Sequence, residues 1–236
     1  MPASSASPAA VATSPPVPAT ALPPLPDQAE RLVALGVAAT AGLPDAAVRA
    51  AAHDLAASAP PGALLVVDPA LAPPSVLAPH LRLPDRDGEK EGFVVVDMAD
   101  VDRFAPLDGL TVPDGALYVV TDVDRGDDLA SWSPDEALPE ITRRGRTPLT
   151  LAEGIHWALQ APQVVERNHC YMTIGSRLRR ADGRLDARTP AIWISNGTGR
   201  DGRERRGAPK VGWCWAGNRH TWLGFASAAG RVGLPA

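Results

Sequence analysis

The sequence has few of the features that indicate a secreted or membrane-embedded protein. It contains two cysteines, Cys170 and Cys214, too few and too far apart for a disulfide framework. The longest apolar run, residues 63–67, is much shorter than the ~18 residues of a membrane span. Residues 1–26 contain no Lys or Arg, so the basic start of a secretory signal is missing. We therefore expect a cytoplasmic protein with no membrane partner.

The first 26 residues differ in composition from the rest of the chain. They consist almost entirely of Ala, Pro, Ser, Thr and Val. Such a segment buries too little apolar surface to offset its chain entropy, which predicts a disordered tail over residues 1–26. The whole chain is 45% hydrophobic and 21% charged, as is usual for globular proteins. We expect residues 27–236 to form a single domain.

Charge is distributed unevenly along that domain. From Glu166 onward there are 13 Lys and Arg against 5 Asp and Glu, a net charge of +8. The preceding residues carry −12, and the two parts together give the net charge of −4. The chain therefore divides into an acidic part, residues 27–162, and a basic, aromatic part, residues 163–236. The two parts either neutralise each other or leave the basic part for an anionic partner.

Local signals indicate helices and short strands. Asp27 with Glu30, Ser133 with Glu136, and Thr150 with Glu153 have the spacing of capping boxes, and Pro44-Asp45 begins a further helix. The first helix should extend from Asp27 to Gly42. The valine-rich runs 64–67, 93–96 and 117–120 predict buried strands of a small sheet. Beyond Pro162, residues 170–174, 191–195, 211–215 and 221–225 predict an antiparallel β region. The fold class is α+β, with N-terminal helices and the valine-rich sheet packed against the C-terminal β region.

Aromatic side chains in the β region indicate a ligand site. Period-two alternation places Met172, Ile174, Ile192, Ile194, Leu223 and Phe225 on one face, and Tyr171, Thr173, Trp193, Ser195, Trp222 and Gly224 on the other. Large rings among small residues suit stacking of a planar ligand. The candidate ligand-binding residues are Trp193, Asn196, Arg200, Arg205, Arg219, His220 and Trp222, with the basic residues between Arg200 and Lys210. The alternative is a second buried face covered by the helix over residues 150–159.

Three further patterns contain residue types that serve in catalysis or cofactor binding. The G-x-G-x-x-G at residues 197–202 lacks the following helix and acidic residue of a dinucleotide site, so no such cofactor is expected. Asp122-Val123-Asp124 after a hydrophobic strand is similar to the first motif of haloacid-dehalogenase-type phosphatases, and Asp97 could share a cation with Asp122. The remaining motifs of that class are missing. Cys170 is beside His169, and Cys214 is six residues before His220, which raises the alternatives of a metal site or a nucleophilic thiol. We expect buried structural thiols instead.

Two segments carry a resemblance to a known family. Residues 145–154, GRTPLTLAEG, and residues 212–227, GWCWAGNRHTWLGFAS, resemble an uncharacterised actinobacterial family, a domain of unknown function. The likeness extends from about Leu25 to Arg231. It implies one contiguous unit after the tail, and it implies no activity and no catalytic residues.

The sequence therefore favours a non-enzymatic binding protein for an anionic or planar ligand, with nucleic acid among the candidate partners. No catalytic residue, metal or cofactor is predicted, and the oligomeric state is left open. Two alternatives remain: a metal-assisted hydrolase that uses Asp122 and Asp124, and a protein-interaction factor that docks through its Pro-rich tail.

Overall fold

The computed structural model describes residues 21–86 and 88–234. Six α-helices occur in this part of the chain: α1 Leu25–Ala34, α2 Val37–Thr40, α3 Asp45–Ala56, α4 Pro74–Leu77, α5 Pro134–Arg143 and α6 Leu151–Gln160. None of these helices is long and apolar enough to cross a membrane. The fourteen strands of the described residues are β1 Leu64–Val67, β2 Arg82–Asp85, β3 Gly88–Glu91, β4 Phe93–Val94, β5 Ala105–Pro106, β6 Leu117–Thr121, β7 Thr147–Pro148, β8 Cys170–Met172, β9 Ser176–Arg177, β10 Arg188–Ile194, β11 Pro209–Trp215, β12 Leu223–Phe225, β13 Ser227–Ala228 and β14 Gly230–Gly233.

Two sheets form the framework, and the predicted α+β class is confirmed. The smaller sheet has the antiparallel order β1-β6-β14. The larger sheet has the order β12-β8-β10-β11-β4, so β12 and β4 are its opposite edges. In the larger sheet, β8, β10 and β11 are antiparallel, whereas both edge strands pair in parallel with their neighbours. This sheet is therefore mixed rather than purely antiparallel.

Helix α6 lies between the two sheets, and all ten of its residues are buried. On one side, the ring of His156 accepts a hydrogen bond at Nε2 from the backbone N–H of Val67 in β1 (3.2 Å). On the other side, the hydroxyl of Tyr171 in β8 donates to the carbonyl of Gly154 (2.9 Å). A Cβ on Gly154 would come within 2.4 Å of Thr173, so only glycine lets the helix approach the larger sheet this closely.

A buried ion pair also connects α6 to the smaller sheet. The fully buried carboxylate of Glu153 receives two hydrogen bonds from Arg231 of β14, at 2.5 and 2.7 Å. The hydroxyl of Tyr118 and the backbone N–H of Thr150 donate to the same carboxylate. Both oxygens are thus satisfied, as a buried charge requires.

Most helix and strand signals correspond to elements at or near the predicted positions. Helix α5 begins after Ser133 and α6 after Thr150, each with a complete capping box. Helix α3 begins at Asp45 and ends at Ala56, before the Pro60-Pro61-Gly62 segment. Strands β1 and β6 occupy the first and third valine-rich runs.

Three local expectations need correction. The first helix begins at Leu25, without a side-chain cap, and ends at Ala34, because Gly36 takes a left-handed conformation (φ 79°) before the short α2. Leu25 and Pro26, assigned to the disordered tail, therefore belong to α1, and Leu25 is buried. Residues 1–20 of the predicted tail lie outside the described part of the chain. Strand β4 ends at Val94 and joins the larger sheet, not the sheet of β1 and β6.

Candidate functional site

A cavity of about 320 Å³ opens where β4 leaves the larger sheet. The backbone N–H of Val95 still donates to the carbonyl of Val211 in β11 (2.9 Å), and the chain then turns into a 3₁₀ helix over Val96–Met98. This volume lies at the lower end of the ~300–1,000 Å³ of small-molecule sites. The cavity is lined by Val95, Val96, Asp97, Trp193, Asn196, Thr198, Arg200, Asp201, Lys210 and Trp213.

The indole of Trp193 lies next to Gly212 of β11 and forms one wall of the cavity. In the register of β10 and β11, Trp193 is opposite Lys210 and Ala191 is opposite Gly212, so all four residues face the same side of the sheet. A Cβ on Gly212 would be 2.5 Å from Cη2 of Trp193, so glycine provides the space for the indole. The ammonium of Lys210 lies 4.6 Å from the ring centroid, a cation–π distance.

A short polar network holds Lys210 in place. The carboxylate of Asp201 accepts hydrogen bonds from Lys210 Nζ and from the hydroxyl of Ser195, both at 2.6 Å. The Ser195 hydroxyl in turn accepts the backbone N–H of Gly197 (3.1 Å). Ser195 is fully buried and Asp201 is nearly so, so the network fixes the start of the glycine-containing loop and the position of Lys210.

The rim of the cavity carries exposed polar side chains. Nη1 of Arg200 is 3.7 Å from Oδ2 of Asp97, a separation beyond hydrogen-bond distance between two solvent-accessible groups. Exposed pairs of this kind contribute little, about 0–1 kcal/mol. Asn196 and Thr198 are also exposed at this rim. Arg200 can therefore exchange Asp97 for an anionic ligand at small energetic cost.

The loop after Arg200 adds basic residues beside the cavity. The guanidinium of Arg205 lies 4.3 Å above the ring of Phe93 in β4. Among the described residues, no carboxylate lies within 4 Å of Arg203, Arg205 or Arg206 as an ion-pair partner. With Glu204 as its one carboxylate, the loop of residues 203–206 carries a net charge of +2, and the described residues around it supply no ion-pair partner for its arginines.

Most other charges of the basic part are neutralised by the acidic part. Within the described residues, six arginines of the basic part have a carboxylate of the acidic part within 4 Å: Asp97–Arg200, Asp100–Arg188, Asp108–Arg179, Asp135–Arg177, Glu136–Arg219 and Glu153–Arg231. The charge asymmetry of the sequence thus corresponds in part to mutual neutralisation. Three further cations of the basic part pair with carboxylates of that same part: Arg180, Arg184 and Lys210. Arg167 and the arginines of residues 203–206 have no carboxylate within 4 Å among the described residues.

The predicted site residues divide between two places. Trp193, Asn196 and Arg200 line the cavity, and Arg205 lies next to it. Arg219, His220 and Trp222 lie near β12, at the opposite edge of the larger sheet. The His220 ring stacks on Trp222 at 4.6 Å with an interplanar angle of 15°, and Arg219 pairs with Glu136.

The predicted division of the β region into two faces was wrong in part. Ile192 is paired with Tyr171, and Ala191 with Met172. Ile192 therefore shares the side of Tyr171, whereas Trp193 shares the side of Met172. Trp193 and Trp222 do not form a common platform. The side that contains Tyr171 is covered by α6, as the alternative interpretation predicted, and Trp157 of α6 packs on that ring at 5.6 Å.

Several cavity residues were not predicted as ligand-binding residues. Val95, Thr198, Asp201 and Trp213 line the cavity together with Trp193. Their convergence depends on the pairing of β4 with β11, residues that are more than a hundred positions apart in the chain. No local sequence signal specifies that pairing.

The acidic residues considered for a cation site do not converge. Asp122 pairs with Arg146 (2.6 Å), Asp124 accepts the backbone N–H of Gly126 (2.7 Å), and Asp97 lies at the cavity rim. Within residues 21–86 and 88–234, no group of three or more His, Cys, Asp or Glu side chains is arranged to hold a metal ion.

The cysteines are surrounded by protein. Cys170 is buried, and burial raises the pKa of its thiol to about 12. Cys214 is half-buried, and burial also raises its pKa. His169 lies between carboxylates, 3.3 Å from Asp127 and 3.4 Å from Glu166, rather than against a thiol. Both environments thus favour the thiol over the thiolate, the form in which cysteine is nucleophilic.

The fold and the cavity thus define an α+β protein with a concave candidate site at the β4 edge of a mixed sheet. A family model described as "Family of unknown function (DUF5701)" matches residues 31–234, and the chain belongs to this family. The resemblance to a family of unknown function is thereby confirmed. No curated protein and no solved structure matches the chain.

Proposed function

We propose that this protein is a non-enzymatic binding protein of the cytoplasm whose ligand is a small anion with a planar ring, held in the cavity at the end of β4. The observation that carries the proposal is the position of Trp193. Its indole is placed over Gly212, supported by Lys210, and forms a wall of a ligand-sized cavity. Aromatic stacking on such a ring contributes about 1–3 kcal/mol per base.

The charges around the cavity support an anionic ligand. Lys210 is neutralised by Asp201, but Arg200 has only the 3.7 Å contact with Asp97. The loop containing Arg203, Arg205 and Arg206 supplies further positive charge beside the opening. A phosphate or carboxylate attached to the ring would lie within this positive field.

The alternative functions gain less support. The metal-assisted hydrolase hypothesis requires the carboxylates of Asp122 and Asp124 to converge on a cation. Instead, Asp122 pairs with Arg146, and Asp124 accepts a hydrogen bond from the backbone N–H of Gly126. Docking through the Pro-rich tail depends mainly on residues 1–20, which lie outside the described part of the chain.

The test is a fluorescence titration of the full chain with uridine and adenosine 5′-monophosphates and a short oligonucleotide at low salt. At least one probe should bind, Trp193→Ala should weaken it about tenfold or more, and added salt should also weaken it. Trp222→Ala is the matched control, because it removes an exposed indole at the other edge of the sheet and should leave affinity unchanged. If no probe binds, or if Trp193→Ala binds as the wild type does, the proposal is wrong.

A further inference from the structure

The cavity contains a free edge of β11 as well as an aromatic wall. The Val95 N–H bonds the carbonyl of Val211, so the backbone groups of Val211 point toward β4. In a strand, alternate residues direct their N–H and C=O groups to the same edge. The N–H and C=O of Trp213 therefore point the same way, into the position that β4 would fill if it continued.

These two backbone groups have no hydrogen-bond partner among the described residues, although Trp213 lines the cavity and is partly buried. A backbone donor and acceptor that a ligand shields from water are destabilising unless the ligand supplies their hydrogen-bond partners. An extended residue presents them side by side, as an adjacent donor and acceptor. The complementary group is a planar one with an acceptor next to a donor.

The free edge is too short for a peptide strand. The next residue whose backbone groups face this edge is Trp215, and its carbonyl already accepts the N–H of Asn218 (3.0 Å). Within the described part of this edge, Trp213 is therefore the residue beyond Val211 that offers both a donor and an acceptor, and one edge of a heterocyclic ring uses such a pair. A small ring fits this edge, and an added β-strand does not.

The two indoles of the cavity are placed to cover such a ring. Trp193 and Trp213 project from opposite sides of the sheet, because Trp193 shares the side of Lys210 and Trp213 alternates with it along β11. Both line the cavity. A ring that continues the plane of the sheet beyond Val94 would therefore have an indole on each side.

We infer that the ligand is a nucleobase-like heterocycle, and that its donor–acceptor edge pairs with the backbone N–H and C=O of Trp213. This inference rests on the proposed function, since it names the class of ring that the Trp193 cavity holds. The backbone recognises the edge, the two indoles cover the faces, and Arg200 with the basic loop faces the anionic substituent.

The test uses nucleotides that differ only at the pairing edge: uridine 5′-monophosphate against its 3-methyl form, and adenosine 5′-monophosphate against its N6,N6-dimethyl form. At least one parent should bind ten times or more tightly than its methylated form, because methylation removes the donor. The backbone amide of Trp213 should shift in ¹⁵N–¹H spectra with the parent and not with the methylated form.

The outcomes separate the two proposals. If parent and methylated forms bind equally and Trp193→Ala weakens both, the cavity binds planar anions but the backbone edge is not used, and this inference is wrong. If none of the four nucleotides binds, this inference is wrong, and the proposed function fails as well when the oligonucleotide also does not bind. Trp222→Ala should match the wild type throughout.

Discussion

His156 makes the stability of this protein dependent on pH. Its Nδ1–H donates to the carbonyl of Ala152 (2.8 Å), and its Nε2 accepts the N–H of Val67. A ring nitrogen that accepts a hydrogen bond carries no proton, so the ring is neutral in the folded protein. Burial lowers its pKa from 6.5 to about 4, although its hydrogen bond to Ala152 and the charge of Glu153 oppose the shift.

The sign and size of the effect follow from these two values. Between pH 6.5 and about pH 4, the unfolded chain binds a proton at His156 that the folded protein does not. The free energy of unfolding therefore falls as the pH falls through this window, and the contribution is fully present above it. A shift of this size corresponds to roughly 3 kcal/mol, since one pKa unit is about 1.4 kcal/mol.

Urea unfolding of the wild type and of His156→Gln between pH 7 and pH 4 measures this contribution. Carboxylates titrate in both proteins, so the difference between the two pH profiles isolates His156. The wild type should lose roughly 3 kcal/mol more than the variant. Parallel profiles would refute the reasoning, as would an imidazole proton signal of His156 that titrates near pH 6.5 in the folded wild type.

Three further predictions concern the cavity wall, the buried ion pair and a cysteine. Gly212→Ala places a Cβ 2.5 Å from Trp193, so nucleotide binding should weaken about tenfold in titrations, and unchanged affinity would contradict the assigned wall. Glu153→Gln leaves the charge of Arg231 without its partner and should lower the free energy of unfolding by about 3–5 kcal/mol in urea, whereas a loss below about 1 kcal/mol would show that the pair contributes little. Because its pKa is about 12, Cys170 should react with thiol reagents at pH 8 only after unfolding, and rapid labelling of the folded protein at this residue would contradict its burial.

Local sequence signals predicted the positions of helices and strands better than they predicted which strands pair with one another. Ser133 and Thr150 marked helix starts correctly because a capping box is completed within four residues. The capping-box pattern of Asp27 and Glu30 predicted the wrong helix start. Helix α1 begins two residues earlier, at Leu25, because Leu25 becomes buried there and Pro26 fits the first turn.

Sheet membership could not be predicted in the same way. The run of residues 93–96 has the valine content of β1, yet the strand within it, Phe93–Val94, joins the other sheet, because the partner strand is selected by packing across the whole molecule. The face of Ile192 was misassigned for a related reason. Alternation divides the residues of one strand between two faces, but the register between strands decides which face of one strand continues which face of the next.

The candidate site was predictable where its residues are close in sequence. Trp193, Asn196 and Arg200 lie within eight positions, and they do line one cavity. Trp222 is also a large ring among small and polar residues in the sequence, as Trp193 is, but in the folded protein it lies three strands away from β11. The contribution of Trp213 depends on a strand that ends early, and no residue pattern in β11 reveals that its neighbour stops.

The pairing of Glu153 with Arg231 has a consequence for synthesis on the ribosome. Strand β1 and helix α6 emerge well before β14, so the emerging chain holds an acidic helix whose countercharge has not yet been made. Until Arg231 arrives, packing α6 between the sheets would bury an uncompensated carboxylate. The smaller sheet also lacks its third strand during that time. We therefore expect tight packing of α6 to become favourable once β14 is available, which would couple completion of the fold to translation of β14.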